Sequence, residues 1–168
     1  MSGAAWAPAV LCAALGLLLG SLPDRAGWGV ALAFAAMWVA TTGAMAIAPS
    51  FAAWVCAHAA HSSAACWIAA LATAGAQYAP ERGRARSARW FALAAGVCVA
   101  AAASPCAAAA SPWAPAGVAL ALPARWLASR GAGVALKVAA SWLLAVALLS
   151  LVLSARPALP GDVPDHLE

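Results

Sequence analysis

Residues 81–110 read ERGRARSARWFALAAGVCVAAAASPCAAAA, and this stretch decides the fold. It opens with Arg82, Arg84, Arg86 and Arg89, and from Trp90 to Ala110 it then holds no charge. A helix of about 20 mostly apolar residues is long enough to cross the hydrocarbon core of a bilayer. Arginines gathered at the foot of such a helix mark its cytoplasmic side. Strands are excluded at these lengths without a closed barrel, because lipid offers no partner to an open backbone N–H or C=O.

Composition extends this reading to the whole chain. Of 168 residues 66% are hydrophobic and 8% charged, and the mean hydropathy is +0.90. A soluble domain carries about a quarter of its residues charged, so this chain cannot clothe a water-facing surface. A soluble globular domain, a nucleic-acid module and a disordered chain are excluded as readings. The net charge of +4 follows from cations collecting in cytoplasmic loops and implies no nucleic-acid partner. No Lys or Arg precedes the first apolar run, so a cleaved signal peptide is not expected there.

Six apolar stretches are marked off by their interruptions, over residues 4–22, 28–48, 51–77, 90–110, 113–127 and 131–153. The expected architecture is an all-α, polytopic transmembrane bundle: one domain over residues 1–153, followed by a polar tail, 154–168, expected to be disordered. The fifth stretch is short and carries Pro123 and Arg125, so five spans plus a re-entrant segment is the alternative. With the loop at 79–89 in the cytoplasm, six spans bring Arg25, Arg125 and Arg130 to the same side, and Lys137 snorkels toward it. Both termini are then exterior, in a bacterial inner (plasma) membrane. Trp6, Trp28, Trp90, Trp113 and Trp126 fall near span ends, where indole prefers the headgroup zone. Trp38, Trp54, Trp67 and Trp142 lie deeper and are expected to pack or line something. Gly16 and Gly20 form a GxxxG spacing that lets helix backbones approach closely.

No Asp or Glu lies within a span, and there is no Ser/His/Asp set, phosphate loop or HExxH motif; no enzyme activity is expected. What the chain offers is metal ligands. His58 and His61 share one helical face with Trp54 and Ser62 and are expected to turn inward, since histidine is costly in lipid. At about 1.5 Å of rise per residue, they lie roughly 10–15 Å below the exterior surface. On the same scale, Met45, Cys12 and Cys106 lie within about 12 Å of that surface, and Cys56 sits just above His58. Thioether, thiolate and imidazole together suit copper as Cu(I). The candidate metal site is therefore His58, His61, Met45 and Cys106. A bis-histidine haem within this chain alone is disfavoured, because two residues three apart on one helix cannot approach an iron from opposite sides. The five cysteines are spread along apolar runs and suggest no disulfide framework. Ser104-Pro105-Cys106 is similar to the intramembrane triplet of metal-transporting P-type ATPases, in which proline opens the helix beside a ligand.

Further residues carry a wider likeness. Met37-Trp38, Ala44-Met45 and Pro49; Gly75, Tyr78, Pro80 and Arg82; Gly96-Val97-Cys98; and the turn from Arg125 to Gly131 stand in the order expected of one family. In this layout the chain resembles a bacterial family of predicted metal-binding integral membrane proteins. It departs from that family in having Met45 alone for a doubled methionine and a Cys98 far from Cys106. The resemblance implies a multi-helix bundle with a metal role. The expected function is thus a small membrane protein that binds or hands on a transition metal, most often copper, through a site in the outer half of the bilayer. The alternative is a non-catalytic accessory subunit packed against other membrane subunits.

Overall fold

The computed structural model describes residues 6–104 and 114–155. Cys106, Pro105, Trp113 and the tail from residue 156 onward lie outside the described residues. Within them the chain is helical, with no strand. Seven α-helices follow in order: α1 (Ala7–Gly20), α2 (Asp24–Ile47), α3 (Pro49–Ala57), α4 (Ala59–Gly75), α5 (Glu81–Ala102), α6 (Ala121–Ser129) and α7 (Gly133–Ala155). Two 3₁₀ segments, Ala76–Tyr78 and Ala114–Leu120, precede α5 and α6.

Proline sets several of the starts. Pro23 and Pro80 sit just ahead of α2 and α5 in an extended conformation, and Pro49 is the first residue of α3. There its missing N–H costs nothing and its fixed φ suits the first turn. The basic segment expected as a loop over 79–89 is instead helical from Glu81 onward. Ala and Arg are strong helix formers, and nothing between Pro80 and Ala102 interrupts them. The turn between α6 and α7 closes on Gly131, whose φ of +75° only glycine adopts freely. Its N–H bonds to the Ala128 carbonyl, and that of Ala132 reaches back to Leu127, a Schellman-type ending.

The long helices α2 and α7 carry the apolar length a membrane crossing needs, over Asp24–Ile47 and Gly133–Leu153. Pro49–Ala57 and His61–Tyr78 pass that test only as a pair, bent by 78° across the break between them. By length and composition the described residues therefore present two spans, or three with the bent pair, against the six expected. The stretch at 51–77 is not one straight helix, because the chain breaks at His58 (φ −108°, ψ 21°). The stretch at 113–127 resolves into 3₁₀ turns and the nine-residue α6. With 14 residues, α1 is about 21 Å long, short of the roughly 30 Å hydrocarbon core.

Burial explains that shortness. Leu11, Cys12, Leu15 and Leu18 of α1 are fully enclosed, and α1 packs against α4, α5, α6 and the 3₁₀ segment before α6. It is the axle of the bundle. Its small residues set the spacing: a Cβ at Gly16 would lie 2.7 Å from the Gly117 carbonyl oxygen, and one at Gly20 2.4 Å from the Ala124 Cβ. The GxxxG pair is therefore the contact surface, with α1 running parallel to residues 117–124. On the far side α2 runs parallel to α5, Gly29 lying by Arg89 and Gly96 against the backbone of Phe34. Trp67 of α4 is buried in the shared core. Trp38 is half-buried, while Trp54 and Trp142, expected to pack, face outward at 59% and 67% exposure. Trp6, Trp28, Trp90 and Trp126 are also exposed.

Charged groups gather at one end. Asp24 and Arg125 form a salt bridge, Arg130 lies over the Trp126 ring at 4.6 Å, and Arg84 with Arg125 lines a shared cleft. The Tyr78 hydroxyl joins this end by donating to the Lys137 carbonyl at 2.9 Å.

Candidate functional site

The break at His58 shapes the candidate metal site. His58 closes α3 and precedes α4, so its ring stands at a corner rather than inside a helix. Its Nδ1 lies 2.9 Å from the Trp54 carbonyl oxygen. A carbonyl only accepts, so Nδ1 carries the proton and donates it. In the neutral ring the other nitrogen, Nε2, then carries the lone pair. This is the arrangement that prepares an imidazole as a metal ligand, with one nitrogen tied back and the other presenting a lone pair.

The rings of His58 and His61 lie 5.9 Å apart, centroid to centroid, at 50°. Trp54 covers the other side of His58 at 4.7 Å, and Phe51 stacks on Trp54 at 6.4 Å. Phe51, Trp54, His58 and His61 thus form a continuous row of rings down one side of α3 and the start of α4. Both histidines are exposed, whereas the sequence reading turned them toward the interior. The reason is the corner: once the helix breaks at His58, the face shared by positions 54, 58 and 61 stays on the outside of the bundle.

The structure brings together two of the four expected ligands. Met45 is half-buried near the end of α2. Cys106 lies outside the described residues. Cys56, expected among the potential ligands in a chain with no disulfide framework, is instead disulfide-bonded, which removes it from the thiols able to ligate a metal. Cys12, Cys66 and Cys98 are free. Cys66 and Cys98 meet in the core, where the Cys66 thiol donates to the Cys98 carbonyl at 3.4 Å. Among the described residues no three His, Cys, Asp or Glu side chains gather closely enough to hold an ion. What the corner offers is a pair of imidazoles beside an indole, and imidazole is a ligand for zinc, copper, iron and nickel alike.

Sequence reasoning put Trp54 on one face with His58 and His61 but missed Phe51, which completes the row. The signal was present: positions 51, 54, 58 and 61 follow the 3–4–3 spacing of a single helical stripe. No known protein-family model, curated protein or solved structure matches this chain.

Proposed function

We propose that this protein is a small multi-pass membrane protein that binds or hands on a transition metal, copper above all, at the His58–His61 corner. One observation carries the reading: two neighbouring imidazole rings, one already held by a carbonyl in the tautomer that leaves Nε2 free. Their exposure favours a metal that is received and passed on over one locked into the fold. The indole of Trp54 adds a π face beside the ion, and cations are attracted to such faces. In this reading the helices thread the membrane six times with the arginine-rich end in the cytoplasm, and the histidine corner lies in the outer half. The disulfide at Cys56 supports that side, since disulfides persist in oxidising compartments outside the cytoplasm. The resemblance to predicted metal-binding integral membrane proteins points the same way.

The test is a competition titration of Cu(I) against a chromogenic chelator, using the full chain in mild detergent. One equivalent is expected to bind the wild type, and binding should fall at least tenfold in His58→Ala and in His61→Ala. Equal binding by the double variant would reject these ligands, and no binding by the wild type would reject the metal function.

A second reading rests on a specific observation as well. An exposed row of four aromatic rings is also what a neighbouring membrane subunit would pack against, which makes this chain an accessory subunit. Co-purification of larger subunits at fixed stoichiometry, lost in Trp54→Ala, would favour it.

A further inference from the structure

At the charged end of the bundle, the end of α1, the 3₁₀ turn Ala76–Tyr78, the first turn of α5 and the turn between α6 and α7 line a half-open cleft of about 280 Å³. Ser21, Gln77, Arg84, Gly131 and Lys137 are among its walls. A larger cleft of about 570 Å³ adjoins it and shares Ser21 and Arg84.

The donors here are unspent. Gln77 is 96% buried, being 4% exposed, and its amide Nε2 has no hydrogen-bond partner among the described residues. Leaving such a group empty in the interior is costly, because it forfeits the hydrogen bonds it would make to water. Arg84 is held in place by a bond from Nη2 to the Ala79 carbonyl at 2.8 Å, while its buried Nε has no partner. Lys137 brings a third donor and a second positive charge. Among the described residues no carboxylate lines this cleft; the acid in the adjoining cleft, Asp24, is committed to Arg125. Gly131 and Gly133 leave the mouth without side chains.

We propose that this cleft binds a phosphate-type oxyanion: Arg84, Lys137 and Gln77 are among its walls, and among the described residues no acid is. Guanidinium and amide N–H groups are matched to phosphate oxygens, and charge-assisted bonds of this kind are the strong ones. The source committed to is the headgroup of an anionic phospholipid, since basic pockets between helices at a membrane surface take such headgroups. Free phosphate is the other source of the same chemistry. The proposal uses neither histidine and stands apart from the metal reading.

The experiment is native mass spectrometry of the full chain released from mild detergent, with phosphatidylglycerol or phosphatidylcholine added, and with inorganic phosphate as competitor. The wild type is expected to retain one phosphatidylglycerol, about tenfold better than phosphatidylcholine. Gln77→Leu, which keeps the volume and removes the donors, should erase that preference, and so should Lys137→Gln, a surface change that leaves the packing intact. Arg86→Gln, which removes the same charge from an exposed position, should leave it unchanged. Displacement by millimolar phosphate would assign the site to the free anion. Equal loss in Arg86→Gln and Lys137→Gln, or no preference in the wild type, would overturn the proposal. Cu(I) binding measured on the same Gln77→Leu protein should be unaltered, so failure here and failure of the metal reading are separate results.

Discussion

Gly16 and Gly20 show what a missing side chain does in this molecule. The backbone of α1 comes so near residues 117–124 that any Cβ would collide. Gly20→Leu is therefore expected to lower stability by about 1–3 kcal/mol or more, the usual cost of overpacking, read as a fall in Tm in detergent. Gly43, near the end of α2, has nothing within 4 Å of its missing Cβ. There alanine relieves only the entropy cost of glycine in a helix, so Gly43→Ala should raise stability by about 0.5–1 kcal/mol. Gly131→Ala meets no atom either, yet it should destabilise by about 1 kcal/mol through its positive φ alone. The three substitutions separate crowding, entropy and backbone strain by sign and cause. Only the first was legible in the sequence, since GxxxG announces a close helix contact. Whether a lone glycine is crowded or strained depends on a neighbour the chain does not name.

Among the elements, the helix starts were readable and one helix break was not. Pro23, Pro49 and Pro80 punctuate the sequence where the structure turns, because proline cannot continue a helix from upstream. The corner at Ala57-His58-Ala59 contains no residue that forbids a helix, and only tertiary packing bends it. The sequence therefore placed His58 and His61 correctly along the chain but on the wrong side of the bundle. The 3₁₀ segment before α6 was hidden for a related reason, since an apolar run with prolines has no clear 3.6-residue period. Helix directions give a testable topology. In the six-span threading, green fluorescent protein fused after Arg130 should fluoresce in the cytoplasm, and the same protein fused after Ser50 should stay dark. The five-span alternative predicts a dark fusion further along, after residue 130.

Over the described residues the molecule is a bundle built around α1, with charged groups gathered at one end and apolar side chains over much of its surface. Ile47, Leu122, Val134 and Trp28 are each at least 70% exposed, a surface suited to lipid rather than water. The all-helical character followed from composition alone, whereas the central place of α1 did not, because every span is apolar and hydropathy cannot rank one above another. Surface charge contributes little to this arrangement. The Asp24–Arg125 pair is well exposed, and such pairs contribute at most about 1 kcal/mol; Asp24→Asn should shift Tm by no more than a degree or two. The position of α1 has a consequence for the order of synthesis. Gly16 and Gly20 find their partners only at Gly117 and Ala124, which leave the ribosome long after α2 to α5. During that interval the bundle is an open ring around a helix with one bare side. The seating of residues 114–129 is therefore a late step of assembly, with only α7 still to dock, and a ribosome stalled before them would leave a half-built protein whose exposed seam is a natural mark for membrane quality-control proteases.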